Sequence, residues 1–169
     1  MANPHLATYL NDHLASSAAA LDLIDHLDRE HAGTPIAMLA EGLRLDIAAD
    51  RRDLETLIER LGIAKSAPRQ TAWLADLGAR LKLALDDPDG KGLRLLEILE
   101  ALSIGIEEKR LLWRSLKTAA VYNPELQGTD YQRLEERADD QRIGVEPFRM
   151  GAAKGTFAPA RPDATRPTG

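Results

Sequence analysis

Four apolar stripes run along this chain at alternating steps of three and four residues, and a polar residue interrupts each stripe near its middle. Steps of this kind place side chains on one face of an α-helix, so each stripe predicts a helix that buries one side against its neighbours. The interrupting residues are His13, Asp50, Lys109 and Gln141. The sequence therefore predicts an all-α protein, a four-helix bundle with one polar layer at mid-height.

Prolines and glycines mark the ends of the first two predicted helices. Pro4 follows a capping asparagine, and Gly33 is suited to the left-handed position that ends a helix. Pro35 and Gly62 delimit the second helix in the same way. Because the connection at Gly33 is very short, these two helices are expected to be antiparallel neighbours.

The next part of the chain, residues 63–91, is too long for a simple reversal and can carry the chain back along the bundle. A short extra helix is expected over about 69–85, because four large apolar residues there share one side: Trp73, Leu77, Leu81 and Leu85. The connection between the second and third long helices therefore contains the extra helix. Residue counting alone leaves the direction of the second helix pair open.

The third helix is expected over about 91–122, and the fourth begins after a cap at Thr129 or Asp130. Pro147 is expected to kink the fourth helix or to end it about one turn early. Residues 1–152 then form one bundle domain, and 153–169, with prolines and no apolar stripe, form a disordered tail. The third helix carries a second, weaker stripe, which either the short helix or a dimer partner would cover: Leu93, Leu96, Ile104 and Leu111.

Composition excludes several classes of function. The chain has 22 Lys+Arg interspersed with 27 Asp+Glu, a net charge of −5, which argues against nucleic acid or anionic lipid as a partner. It has no cysteine, so disulfides, thiolate catalysis and Cys-ligated metals are excluded. No apolar run approaches the roughly 20 residues that span a bilayer. The N-terminus lacks the pattern of a signal peptide, so a cytoplasmic location is expected.

The predicted polar layer has two interpretations. In the first, Lys109 neutralises Asp50, and either His13 or Gln141 completes a hydrogen-bonded ion pair that fixes the helix register. The layer as a whole comprises His13, Ser17, Asp50, Lys109 and Gln141. In the second, His13, Asp50 and Asp53 bind a metal ion. An internal lysine would repel such an ion, which favours the first interpretation. Glu107 and Glu108 flank the stripe and are expected to face water.

Three segments resemble an uncharacterised group of bacterial ferritin-like helical proteins: Tyr9–Leu14, Trp73–Leu83 and Ile104–Trp113. The resemblance covers about residues 5–150 and implies a ferritin-like four-helix bundle. Ferritin-like metal proteins supply a Glu from each of two helices and a Glu-x-x-His from each of the other two. This sequence has no Glu-x-x-His, so no metal ligand carries over.

The expected function is therefore non-enzymatic: a structural or protein-interaction role, with an accessory role in stress as one form of it. No catalytic residue and no cofactor are predicted, because register explains every polar residue of the expected core. The alternative is a divergent metal-binding ferritin relative that uses His13 and Asp50. A protein partner or a homodimer through Leu93, Ile104 and Leu111 is the expected kind of interaction.

Overall fold

The computed structural model describes residues 3–65 and 91–158, which form four long helices packed together, with no strand in these ranges. The helices are α1 (Pro4–Glu30), α2 (Pro35–Arg60), α3 (Lys91–Ala119) and α4 (Tyr131–Phe157). This confirms the predicted all-α class. None of the four is both long and apolar enough to cross a membrane. The extra helix expected over 69–85 lies outside the described residues.

Local sequence signals explain most helix ends. The Asn3 side chain accepts a hydrogen bond from the backbone N–H of His5 at 2.9 Å, and Asp130 accepts from that of Arg133 at 3.1 Å. Gly33 has a φ of +78°, which favours glycine after a helix. Thr34 precedes α2 but forms no side-chain cap, because its hydroxyl donates to the carbonyl oxygen of His31 at 2.7 Å.

Contacts at the two ends of the bundle determine the helix directions. At one end, Arg94 near the start of α3 lies 3.6 Å from Glu30 at the end of α1. At the other end, Arg60 at the end of α2 donates to the carbonyl oxygen of Gln127 at 2.7 Å and to the Thr129 hydroxyl at 3.0 Å, just before α4. Each helix is therefore antiparallel to the neighbours it packs against, and α3 starts at the opposite end from the end of α2.

Two apolar clusters fill the bundle, one towards each end. The first is built around Trp113, Leu57 and Leu126, and the second around Ile24, Leu99 and Ala138. Along α2, Ile47 belongs to the second cluster and Leu54 to the first, and buried Asp50 lies between them. The polar residues at mid-height thus separate two apolar half-cores.

Helix α4 is longer than predicted. It continues through Pro147 to Phe157, so the helix does not end one turn early, and residues 153–157 belong to the bundle rather than to a tail. Pro147 itself is exposed, so water can reach the carbonyl group that loses its helical hydrogen bond. Beyond it, Phe148 and Ala152 pack against the second cluster and hold the helix in place. Residues 159–169 lie outside the described ranges.

Candidate functional site

The polar centre of the bundle is organised around Asp50, which is only 2% exposed. Its Oδ2 accepts hydrogen bonds from the Lys109 ammonium and from Gln141 Nε2, the latter at 2.9 Å. Its Oδ1 accepts from Arg137 Nε at 2.6 Å. Gln141 Oε1 accepts in turn from Lys109. A buried carboxylate needs compensating charge and hydrogen bonds, and α3 and α4 supply both here.

Arg137 extends this cluster to a second carboxylate. Its Nη2 donates to Asp53 Oδ2 at 2.6 Å, so the guanidinium bridges two acidic residues that lie one turn apart on α2. We call Asp50, Asp53, Lys109, Arg137 and Gln141 the Asp50 network. Its two carboxylates and two cations balance in charge, so the network requires no additional ion.

Burial and pairing act in opposite directions on the two cations of the network. Burial lowers the pKa of Lys109, and the negative charge of Asp50 opposes that effect only in part. Burial also acts to lower the pKa of Arg137, but hydrogen bonds to Asp53 and Asp50 outweigh it and raise that pKa. The positive charge of Lys109 therefore depends on the Asp50 carboxylate more strongly than the positive charge of Arg137 does.

His13 lies beside Glu108 on α3, and no hydrogen bond within the described ranges joins it to the Asp50 network. The distance from His13 Nδ1 to Glu108 Oε1 is 3.9 Å, and the Tyr9 ring packs edge-on against the imidazole with centroids 4.6 Å apart. Burial lowers the pKa of His13 to about 4, so the imidazole is neutral at pH 7. Burial also raises the pKa of Glu108. Its side chain is 29% exposed but its Oε2 is buried, so the expectation that this residue faces water is correct only in part.

Ser17 is bound by a residue of α2 that sequence reasoning did not single out. Arg51 Nη1 donates to the Ser17 hydroxyl and to the carbonyl oxygen of Leu14, both at 2.8 Å. The Ser17 hydroxyl donates to the same carbonyl oxygen at 2.7 Å. This contact joins α1 to α2 at the height of Asp50, because Arg51 directly follows Asp50 along α2.

A cavity of about 40 Å³ lies between α1, α2 and α3, and both the Asp50 network and the residues around His13 and Ser17 contribute to its wall. Most of its wall is apolar, including Leu102, Ile106 and Trp113. The polar residues of the wall include His13, Ser17, Asp50, Arg51, Glu108 and Lys109. The residues predicted to form one layer thus divide into the Asp50 network on one side and His13 and Ser17 on the other, with this cavity between them.

Of the three residues that the metal interpretation requires, Asp50 and Asp53 belong to the Asp50 network, whereas His13 lies beside Glu108. Asp50 and Asp53 are bound to Arg137, and Lys109 lies on Asp50 where a metal ion would need an open carboxylate oxygen. In the ranges 3–65 and 91–158, no group of three or more His, Asp or Glu side chains is arranged to hold a metal ion. The donor set present here therefore does not fit a dinuclear metal centre.

Sequence reasoning missed Arg137, although two signals pointed to it. Asp50 and Asp53 share one side of α2 and need more positive charge than Lys109 supplies. Arg137 lies one turn before Gln141, so it can reach the same region. Arg137 falls at the edge of the apolar stripe of α4 rather than within it, so the stripe alone does not select it.

Gly105 on the wall of the cavity offers a simple stability test. A Cβ added there would meet no heavy atom within 4 Å, and the residue lies inside α3. We expect Gly105→Ala to raise the free energy of unfolding by about 0.5–1 kcal/mol, because alanine loses less backbone entropy on folding. Urea unfolding monitored by circular dichroism measures this. Gly42→Ala, which also adds a Cβ in open space inside a helix, is the matched control; a loss of stability in Gly105→Ala alone would contradict the prediction.

The chain was compared with protein-family models, with curated proteins and with solved structures, and none of the three comparisons finds a match.

Proposed function

We propose that this chain is a non-enzymatic, ferritin-like helical bundle of the cytoplasm that acts through protein–protein contact, with the Asp50 network in the place of a di-metal site. The helix directions support the ferritin-like part. Ferritin-like bundles have one long crossover connection, and α3 here starts at the far end of the bundle from the end of α2. Two antiparallel helix pairs joined in that way are the arrangement the proposal requires.

The observation that carries the proposal is the full use of Asp50 within the protein. Both of its carboxylate oxygens accept hydrogen bonds from side chains of α3 and α4, and two of those side chains are cations. Such a centre holds the helices in register and has no free ligand with which to recruit an ion. If the centre is structural, the protein contacts other molecules through its outer surface.

The outer sides of α3 and α4 supply a surface for contact. Leu93, Ile104 and Leu111 recur along α3, and Ile143, Met150 and Phe157 recur along α4; all six are exposed. Leu96, assigned to the same α3 stripe from the sequence, is instead buried. Rows of exposed large apolar residues on neighbouring helices are typical of interaction sites.

The partner we propose for this surface is a second copy of the chain. An open groove on it is lined by Ile104 and Leu111 together with residues of both charges, including Arg142 and Glu146. An interface with two-fold symmetry brings a surface patch against itself, so any charges within that patch are compensated only if the patch carries both signs. This groove meets that condition.

Metal analysis tests the structural role of the centre. Protein prepared without a tag or chelator, from cells grown with added iron, manganese and zinc, is expected to carry far less than one equivalent of any of them. A stoichiometric metal that is lost in His13→Ala, and kept in the control His5→Ala on the exposed first turn of α1, would contradict the proposal. That result would favour the metal-binding alternative with His13 and Asp50.

Light scattering tests the proposed contact. The full chain should have the mass of a dimer, and Ile104→Asp should reduce it to the mass of a monomer because a carboxylate would be buried in the interface. Leu45→Asp is the control, since Leu45 on α2 is similarly exposed, at 62% against 56% for Ile104. A monomer at every concentration, or a dimer that both variants leave intact, would contradict this assignment of the interface.

A further inference from the structure

Two buried polar atoms that belong to residues on the wall of the central cavity have no hydrogen-bond partner in the described part of the chain. They are the indole nitrogen Nε1 of Trp113 and the carboxyl oxygen Oε2 of Glu108. Both residues line the cavity, and Trp113 is only 1% exposed. The Ser16 hydroxyl on the same wall interacts with the Glu108 carboxyl group, but Oε2 itself has no hydrogen bond. Buried polar groups in native proteins are nearly always paired with protein or with ordered water, so both unpartnered atoms require a partner.

The cavity is large enough to hold that partner. A bound water needs about 10–15 Å³ of such a volume and two to four polar neighbours. A cavity of about 40 Å³ thus has room for about three waters. It is much smaller than the roughly 150 Å³ cavity that takes up benzene, so an organic ligand of that size does not fit.

The wall also offers the polar groups that such waters need. The Trp113 N–H can donate, Glu108 can accept or donate according to its protonation, and the neutral His13 ring can do either. Gly105 keeps space open on the α3 side, since an added Cβ would meet nothing within 4 Å. A glycine inside a helix has an entropic cost, and no close packing requires one at this position.

We propose that this cavity is a built hydration site, in which a cluster of two to three ordered waters bridges the Trp113 indole, the Glu108 carboxyl group and His13. The cluster completes the hydrogen bonds of the bundle centre on the α1 side, as the Asp50 network completes them on the α4 side. This inference concerns the interior of the bundle and is independent of the proposed contact surface.

Nuclear magnetic resonance of the ¹⁵N-labelled full chain tests the proposal. The chain has two tryptophans, so the Trp113 indole resonance is the one that remains in Trp73→Phe. We expect a dipolar cross-peak between water and the Trp113 indole proton, with the sign of water that stays bound for longer than a nanosecond. Ser16→Ala and Ser17→Ala should keep it, because a cross-peak that disappears with a hydroxyl arises from proton exchange instead.

Filling the cavity should remove the bound water. Gly105→Val places a side chain in the open space, so the cross-peak should fall to less than half of its original intensity. Gly42→Val makes the same change inside α2 away from the cavity and should leave the cross-peak intact. If Gly105→Val does not fold, the unmodified chain can be titrated with xenon, which binds in dry apolar cavities. We expect no saturable shift of the methyl resonances on the cavity wall, because water occupies the space.

Several results would overturn the proposal. One is the absence of a dipolar cross-peak at Trp113, and another is a cross-peak that Gly105→Val leaves unchanged. Saturable xenon shifts at the Leu102 and Ile106 methyl groups would mean a dry cavity. A non-water molecule detected by native mass spectrometry, and released on unfolding, would mean that the cavity holds a different ligand.

Discussion

Replacing Lys109 with methionine is expected to lower the free energy of unfolding by about 3–5 kcal/mol at pH 7, because the buried Asp50 carboxylate loses one of its two cations. Gln141 Oε1 would also lose its donor, because it accepts a hydrogen bond from Lys109. Gln141 is only 4% exposed, so water cannot easily replace that donor. Urea unfolding of the purified variant measures the loss. We expect Lys109 to be among the most sensitive positions of α3.

Lys117→Met is the matched control for this substitution. Lys117 lies two turns further along α3 and forms a similar contact, with its Nζ 2.8 Å from Glu135 Oε2, but its side chain is 43% exposed. Water screens that pair, so its loss should change stability by no more than about 1 kcal/mol. Equal effects at the two lysines would mean that the buried position of Lys109 does not matter.

The double variant Asp50→Leu/Lys109→Met should recover much of the loss. Removing both charges leaves no uncompensated ion, and Arg137 keeps its hydrogen bond to Asp53. The double variant should be more stable than the sum of the two single changes predicts, with a coupling of roughly 1–3 kcal/mol. Recovery should be incomplete because Gln141 loses both partners. Strictly additive losses would mean that the two charges do not interact.

Lowering the pH from 7 to 4 is expected to cost about 3 kcal/mol of stability through His13 alone. In the unfolded chain this histidine takes up a proton below its ordinary pKa of 6.5, whereas in the folded protein burial lowers the pKa to about 4. Between these values the unfolded chain binds more protons, so acid favours unfolding. The contribution is lost progressively as the pH falls through this window and changes little below it.

Comparison of His13→Leu with the unmodified chain isolates this effect. Unfolding free energies at intervals between pH 4 and pH 7 should show a smaller acid loss in the variant, and His5→Leu, at an exposed position on the same helix, should retain the full loss. Glu108 lies beside His13 and acts in the opposite direction, since burial raises the pKa of Glu108 and the folded protein then keeps that proton more readily. Glu108→Gln should therefore steepen the acid loss. Parallel pH curves for His13→Leu and the unmodified chain would contradict the assignment.

The spacing of apolar residues was enough to place the four long helices, and short signals placed their ends. Asn3 and Asp130 cap α1 and α4, and glycines follow α1 and α2, because these effects depend only on neighbours in the chain. Pro147 is the exception. The missing hydrogen bond at a proline predicted a kink or an early end; the early end is wrong, because Phe148 and Ala152 pack against the second cluster and the helix continues to Phe157.

The interrupted stripes also indicated which polar residues would meet, but not how they would pair. Asp50, Lys109 and Gln141 come together, as positions in facing stripes should. Arg137 and Glu108 lie at the edges of their stripes, and their partners are far away in the sequence. A helical period specifies the side of a helix on which a residue lies, and leaves open how far a long side chain reaches across to a neighbouring helix.

The sequence by itself determined the helical class, most of the helix ends and the presence of charge at mid-height, because each depends on residues within one segment; the C-terminal end of α4 is the exception. Only the tertiary structure decided the directions of the second helix pair, the bridging of Asp50 and Asp53 by Arg137, and the separation of His13 from that network by a cavity. Those features depend on distances between helices, and in a packed core a shift of a few ångströms decides which charge is paired, which imidazole stays neutral and where water can enter.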